Sequence, residues 1–153
     1  MTVRLTIVER DDVQPLMRLN LAADQDDFVA PNAVTLAQVA YEPNATAYCI
    51  WQGDTRVGLI AMIDCRDYPH LDDGDDPNSM YVWRLMIAKE HQRKGYGRAA
   101  MGHIVRIAKE LGLPRISIAA VPSNEAAIGL YEKLGFHKTG RIIEGEIELS
   151  LKL

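Results

Sequence analysis

The sequence predicts a mixed α/β protein, one central sheet with the element order β-α-α-β-β-β-α-β-α-β-β. Three observations carry this. Short apolar runs or alternating apolar and polar residues mark seven strands. Apolar residues at helical spacing mark four helices. Strands alternate with helices only in the second half of the chain, which argues against a doubly wound parallel sheet. At 153 residues the chain fits one domain, 1–153.

In order, Leu5 and Ile7 alternate with polar neighbours and give a first strand. Asp11 or Asp12 can cap a helix through about Leu21, with Val13, Leu16, Leu19 and Asn20 at helical intervals. Pro15 is compatible with that helix if it falls in the first turn. The polar stretch Asp24 to Asn32 leads to a short helix from Leu36 to Tyr41. Ala47 to Trp51 and Arg56 to Cys65 form a hairpin about Gly53-Asp54. Arg66 to Met80, rich in Asp, Pro and Gly, is a loop, and Tyr81 to Ile87 a strand. Gly97 to Leu111 is an amphipathic helix ended by Gly112. A strand, Arg115 to Val121, precedes a helix from Glu125 to Leu134 that Asn124 or Ser123 can cap and Gly135 stops. His137 to Ile143 and Glu146 to Leu153 close the chain as a hairpin.

Hydrophobic residues make up 48% and charged residues 25%, the balance of a soluble globular protein. The net charge of −4 disfavours a nucleic-acid partner. No run is apolar and long enough to span a bilayer, and the start lacks a signal-peptide core, so a cytoplasmic location and no membrane partner are expected. Cys49 and Cys65 lie in apolar strand-like runs and read as buried thiols. No CxxC or His/Cys cluster marks a metal site, so no metal is expected. The four histidines stand apart from one another and suggest no catalyst.

The segment Gln92-Arg93-Lys94-Gly95-Tyr96-Gly97-Arg98 carries chemistry. It follows a strand and opens a helix. The two glycines let the backbone approach a ligand. The first helical N–H groups lack internal partners and sit at the positive end of the helix dipole. That is a phosphate-binding arrangement, to which Arg93, Lys94 and Arg98 add charge. It is neither a P-loop nor a dinucleotide fingerprint.

This segment resembles the pyrophosphate loop of the GNAT superfamily of N-acetyltransferases, Gln/Arg-x-x-Gly-x-Gly/Ala, which Gln92, Gly95 and Gly97 fill. A second block is similar to the same family: Asn124, Ala127, Tyr131 and Leu130-Tyr131-Glu132-Lys133-Leu134-Gly135-Phe136. The resemblance implies the GNAT fold and acetyl-CoA as donor. It implies a β-bulge that splays the strand before the loop, so that Leu85, Met86 and Ile87 offer free backbone groups to pantetheine. It implies a pantetheine contact for Asn124, beside its reading as an N-cap. It gives Tyr131 the role of general acid to the departing thiolate, where the residues alone suggest a core aromatic. Trp83 and Arg84 stand where many members carry a carboxylate, so no base is named.

For the acceptor, Phe28-Val29-Ala30-Pro31-Asn32, Leu36-Ala37-Gln38 and Tyr41, with the strand Tyr81 to Ile87, resemble bacterial spermine/spermidine acetyltransferases. The resemblance implies a small-molecule amine, a polyamine or diamine, with Asp26, Asp27, Phe28 and Tyr41 at its site. Two acidic clusters, Asp24/Asp26/Asp27 and Asp72/Asp73/Asp75/Asp76, suit a polycation and equally suit solvated loops. A protein or peptide N-terminal acetyltransferase and a CoA-binding sensor without turnover remain as alternatives. The oligomeric state stays open, a homodimer included.

Overall fold

The structure is a computed structural model and describes residues 2–153. Seven strands form one sheet in the order β1-β2-β3-β4-β5-β7-β6: β1 Val3–Ile7, β2 Ala45–Gln52, β3 Thr55–Asp64, β4 Ser79–Ile87, β5 Arg115–Ala120, β6 His137–Ile143 and β7 Glu146–Lys152. Every neighbouring pair is antiparallel except β4 and β5, which are parallel. A parallel pair needs a crossover, and α3, Tyr96–Glu110, supplies it. The predicted order of strands and helices is the observed one, with single 3-10 turns added at Ala23–Gln25 and Lys89–His91.

The sheet is buried on both faces, which is why β3 reads as an almost unbroken apolar run, Val57 to Ile63. Ile60 and Met62 face a core shared with Ala100, Met101, Ile104 and Ala108 of α3 and Ile128 of α4, Glu125–Lys133. Leu59 and Ala61 face the opposite way, with Ala47 and Cys49 of β2. There they meet α1, Arg10–Met17, through Leu16, and α2, Asn32–Tyr41, through Leu36 and Val39.

The main boundary corrections fall in the first half. Helix α1 begins at Arg10, capped by Glu9, and ends at Met17 rather than near Leu21. Glu9 and Asp12 form a capping box, with the Asp12 carboxylate accepting from the Glu9 N–H at 2.9 Å. Pro15 therefore sits in the second turn, not the first, and the helix stops two residues later. Helix α2 begins at Asn32, four residues earlier than expected, because Pro31 supplies an extended residue at its N-cap. The buried Asn32 side chain donates to the Leu16 carbonyl at 2.8 Å and ties α2 to the end of α1. Cys49 and Cys65 are buried free thiols.

Candidate active site

The sheet opens at its centre. Opposite β3, Ala61 faces Arg84 and Met62 faces Val82, so Trp83 is the extra residue of a β-bulge in β4. Pairing of β4 with β5 runs from Ser79 to Val82 and stops there. Beyond the bulge the strands diverge. A Cβ built on Gly58 would lie 2.2 Å from the Met86 carbonyl oxygen, so that carbonyl faces β3. Backbone groups alternate along a strand, so Leu85 and Ile87 turn theirs into the gap. A cavity of about 680 Å³ fills the gap, walled by Leu85 and Ile87 on one side and Ala119, Ala120 and Val121 on the other. The Met86 side chain lies elsewhere. Its sulfur receives the Asn32 amide at 3.6 Å and lines a separate cavity of about 390 Å³.

One part of the cleft is the turn into α3. Gly95 is the N-cap residue with φ +84°, and no side chain caps the helix. The N–H groups of Tyr96, Gly97 and Arg98 therefore have no helical acceptor. Arg93 also adopts a positive φ, +62°, a costly conformation for a side-chain-bearing residue of a kind that gathers at ligand sites. Gln92 clamps the turn: its amide donates to the Ile87 carbonyl and to Gln25 Oε1, both at 2.9 Å. A Cβ on Gly97 would make only ordinary contacts, 3.6 Å to Leu130 and 3.8 Å to Ile87. Protein packing does not require glycine there, and the bare N–H groups leave room for a phosphate group. Gln92, Arg93, Gly95, Tyr96, Gly97 and Arg98 all line the cleft, whereas Lys94 turns its ammonium to the Glu90 carbonyl at 3.3 Å. The residues thus suit the pyrophosphate of acetyl-CoA.

Across the cleft stands α4. The Asn124 side chain caps it, accepting from the Ala127 N–H at 3.3 Å, and also lines the cavity. The other end closes in a Schellman motif: the Gly135 N–H donates to Glu132 and the Phe136 N–H to Tyr131, both at 3.0 Å. The Phe136 and Tyr131 rings meet at 5.9 Å, the apolar contact that accompanies this motif. Together these fix the Tyr131 ring, which is 5% exposed, with its edge on the cleft. No protein group among the described residues hydrogen-bonds its hydroxyl. Burial, and secondarily the charge of Glu146, raise its pKa above the ordinary phenol value.

Of the expected acceptor residues, Asp27 and Phe28 line this cleft, Asp26 lines the smaller cavity, and Tyr41 is 91% exposed and lines neither. The acidic loop before β4 is engaged elsewhere: Asp75 pairs with Arg141 at 2.7 Å and Asp76 with Arg115 at 3.2 Å. In its place the closing hairpin brings Glu144 and Glu146 to the cleft, beside Tyr81, Trp83 and Arg84 of β4. The sequence reading missed both as site residues, leaving Glu144 in the hairpin turn and Glu146 at the start of the last strand. Burial, and more weakly Glu144, raise the Glu146 pKa, against the pull of Arg84. Burial, and then Glu146, push Tyr81 up to about 12. Among the described residues, no group of three or more His, Cys, Asp or Glu could hold a metal ion, and no helix is long and apolar enough to cross a membrane.

The family model described as acetyltransferase (GNAT) family matches residues 13–136, most of the chain. The chain belongs to the GNAT family. N-acetyltransferase family 8 member 3 of Rattus norvegicus is 30% identical over 95 residues, covering 60% of this chain and 40% of that protein. The [ribosomal protein bS18]-alanine N-acetyltransferase of Escherichia coli K12 is 33% identical over 57 residues, covering 37% of this chain and 38% of the relative. The chain thus spans about 40% of the length of the curated relatives it matches. Among solved structures, the GNAT fold recurs in spermidine N-acetyltransferase from Vibrio cholerae in complex with CoA and spermine. It has TM-score 0.75 and 19% identity, covering 98% of this chain and 95% of that one.

Proposed function

We propose that this GNAT protein transfers the acetyl group of acetyl-CoA to a small primary amine, a polyamine such as spermine or spermidine, in a ternary complex. The observation that carries the reading is the gap behind the Trp83 bulge, continuous with the bare N–H groups of the Gly95–Arg98 turn and edged by Tyr131. Leu85 and Ile87 offer backbone groups to the pantetheine arm. Asn124 stands beside it on α4. Tyr131 supplies the proton the leaving thiolate needs. Holding amine and thioester together accounts for most of the rate.

A polyamine acceptor is supported by the carboxylates Asp27, Glu144 and Glu146 on the cleft, with the apolar walls of Phe28 and Trp83 to cover methylene segments. The Vibrio cholerae structure with spermine has the same fold. A peptide α-amine is the second reading, favoured by the local match to the bS18-alanine acetyltransferase.

The test is acetyl-CoA turnover, followed by thiol release and by mass of the product, on spermine, spermidine, n-butylamine and alanine-initiated peptides. Spermine and spermidine should show the highest kcat/KM, and the advantage should shrink with salt, because charges beyond about 10 Å are screened at 0.1 M. Asp27→Asn should raise KM for spermine more than for n-butylamine. Equal efficiency for mono- and polyamines removes the polyamine acceptor, and preference for the peptide installs the second reading.

A further inference from the structure

The cleft holds one carboxylate that the protein leaves unused. Glu148 and Glu146 lie two residues apart in β7 and so on one face of it. Glu148 is fully employed, accepting from Thr139 at 2.9 Å and from Arg141 at 3.2 Å. Glu146 is half-buried on the cleft wall, and no donor among the described residues reaches its carboxylate. A partly desolvated carboxylate without a partner is costly, and its persistence points to a ligand or a reaction. Its surroundings narrow the choice. Arg84 and Tyr81 face it from β4, Tyr131 from α4, and Glu144 stands across the turn. Arg84 hydrogen-bonds only neutral groups, the Trp83 carbonyl at 3.1 Å and the Gln38 amide oxygen at 3.2 Å, so it moderates Glu146 without locking it in an ion pair. The carboxylate thus shares one cavity with the Tyr131 hydroxyl and with the bulge where β4 leaves β5.

We propose that Glu146 is the general base of the acetyl transfer, taking the proton that an alkylammonium acceptor must lose before it can attack. The inference rests on the acetyltransferase reading and not on the polyamine one. An alkylammonium is mostly protonated at neutral pH. Its first proton passes to the Glu146 carboxylate, and its freed electron pair forms the N–C bond to the thioester carbonyl carbon. The C–S bond breaks, and sulfur takes the Tyr131 proton. The second nitrogen proton, shed as the amide forms, returns to the Tyr131 oxygen. Glu146 releases its proton to solvent, which leaves acetylamine, CoA thiol and one proton. Burial and Glu144 hold Glu146 above the ordinary carboxylate range and nearer the pH at which it works. Once protonated, Glu146 no longer opposes charge on the Tyr131 oxygen.

The test compares Glu146→Gln and Glu146→Asp with wild type on n-butylamine and spermidine, which arrive as ammonium ions, and on hydroxylamine, which arrives neutral at pH 7. Acetyl-CoA affinity and the melting temperature serve as controls on folding. Glu146→Gln should lose roughly 10²–10⁴ in kcat with the alkylammonium acceptors at pH 7, the usual range for a positioned base. The loss should shrink as pH approaches the amine's own value of ~10.4. Hydroxylamine should be acetylated within about twofold of wild type, and Glu146→Asp should recover part of the rate, as a shorter general base can. A deficit of the same size for hydroxylamine and alkylamines, or one that does not change with pH, makes Glu146 a structural or binding group and overturns the proposal. Spermidine inert while n-butylamine shows the predicted pattern removes the polyamine acceptor alone. Wild type inert toward both alkylamines overturns the base and the acceptor class together.

Discussion

Tyr131 holds a free hydroxyl where burial and the Glu146 charge raise its pKa. The sign matters. A phenol with a raised pKa stays protonated across pH 6–10, so its own ionisation sets no limb of a rate profile in that window. Tyr131→Phe keeps the contact with Phe136 and removes one proton donor. Single-turnover kcat should fall roughly 10²–10⁴, and the deficit should narrow above about pH 8.5, where free thiol increasingly leaves as thiolate. A Phe variant within about twofold of wild type throughout would return Tyr131 to a packing role. For Glu146 the raised pKa means that the folded chain binds this proton more tightly than the unfolded chain. Its effect on stability is therefore most favourable below the unfolded value and turns into a cost as pH rises through the folded one. Glu146→Gln should melt no lower than wild type at pH 7, and its advantage should be larger at pH 7 than at pH 4. A lower melting temperature at pH 7 would mean that the carboxylate has a structural partner.

Two helices depend on their ends, and one of them, α4, lines the cleft. The Schellman motif after α4 needs Gly135 at φ +100°. Gly135→Ala should cost about 1–2 kcal/mol, the penalty of a left-handed backbone for a residue with a Cβ, read from urea unfolding. It should also loosen Tyr131, whose carbonyl and ring both meet Phe136. A variant as stable as wild type would show that the helix end does not depend on this turn. In α1, the buried Asp12 completes the capping box with Glu9 and also pairs with Arg56 at 3.0 Å. Asp12→Ala should lose about 1–2 kcal/mol, more than an exposed ion pair alone supplies. These elements differ in how plainly the sequence announced them. Gly95 and Gly97 between a strand and an amphipathic run marked the turn into α3, because backbone conformation and helix dipole are local properties. The Leu134-Gly135-Phe136 stop was local in the same way. The bulge at Trp83 was not, because it exists only in the register between β4 and β3. Here the family resemblance supplied what the residues could not. Glu146 was hidden for a similar reason: alternation in β7 says that Glu146 and Glu148 share a face, but only the assembled sheet shows that one meets Arg141 and the other the cleft.

Across the whole molecule, the halves of the cleft come from distant parts of the chain and are tied together by polar side chains. Gln92 joins the turn into α3 to Gln25 in the first half of the chain. Arg141 joins the loop before β4 to the closing hairpin through Asp75, Glu148 and the Asp73 carbonyl. The acidic loop therefore braces the hairpin that carries Glu144 and Glu146. This tertiary use of Asp75 and Asp76 is invisible to charge counting, which weighs both acidic clusters alike. The proposed function puts acetyl-CoA in the gap between β4 and β5 with its pyrophosphate on the Gly95–Arg98 turn. Calorimetric titration of acetyl-CoA into wild type and Gly97→Glu checks this placement. The substituted side chain would start between Leu130 and Ile87, where a Cβ fits without clash, and would carry a carboxylate to the bare N–H groups. Gly97→Glu should keep its melting temperature and bind acetyl-CoA roughly a hundredfold more weakly, about 3 kcal/mol. A folded Gly97→Glu variant that binds acetyl-CoA as tightly as wild type would contradict it.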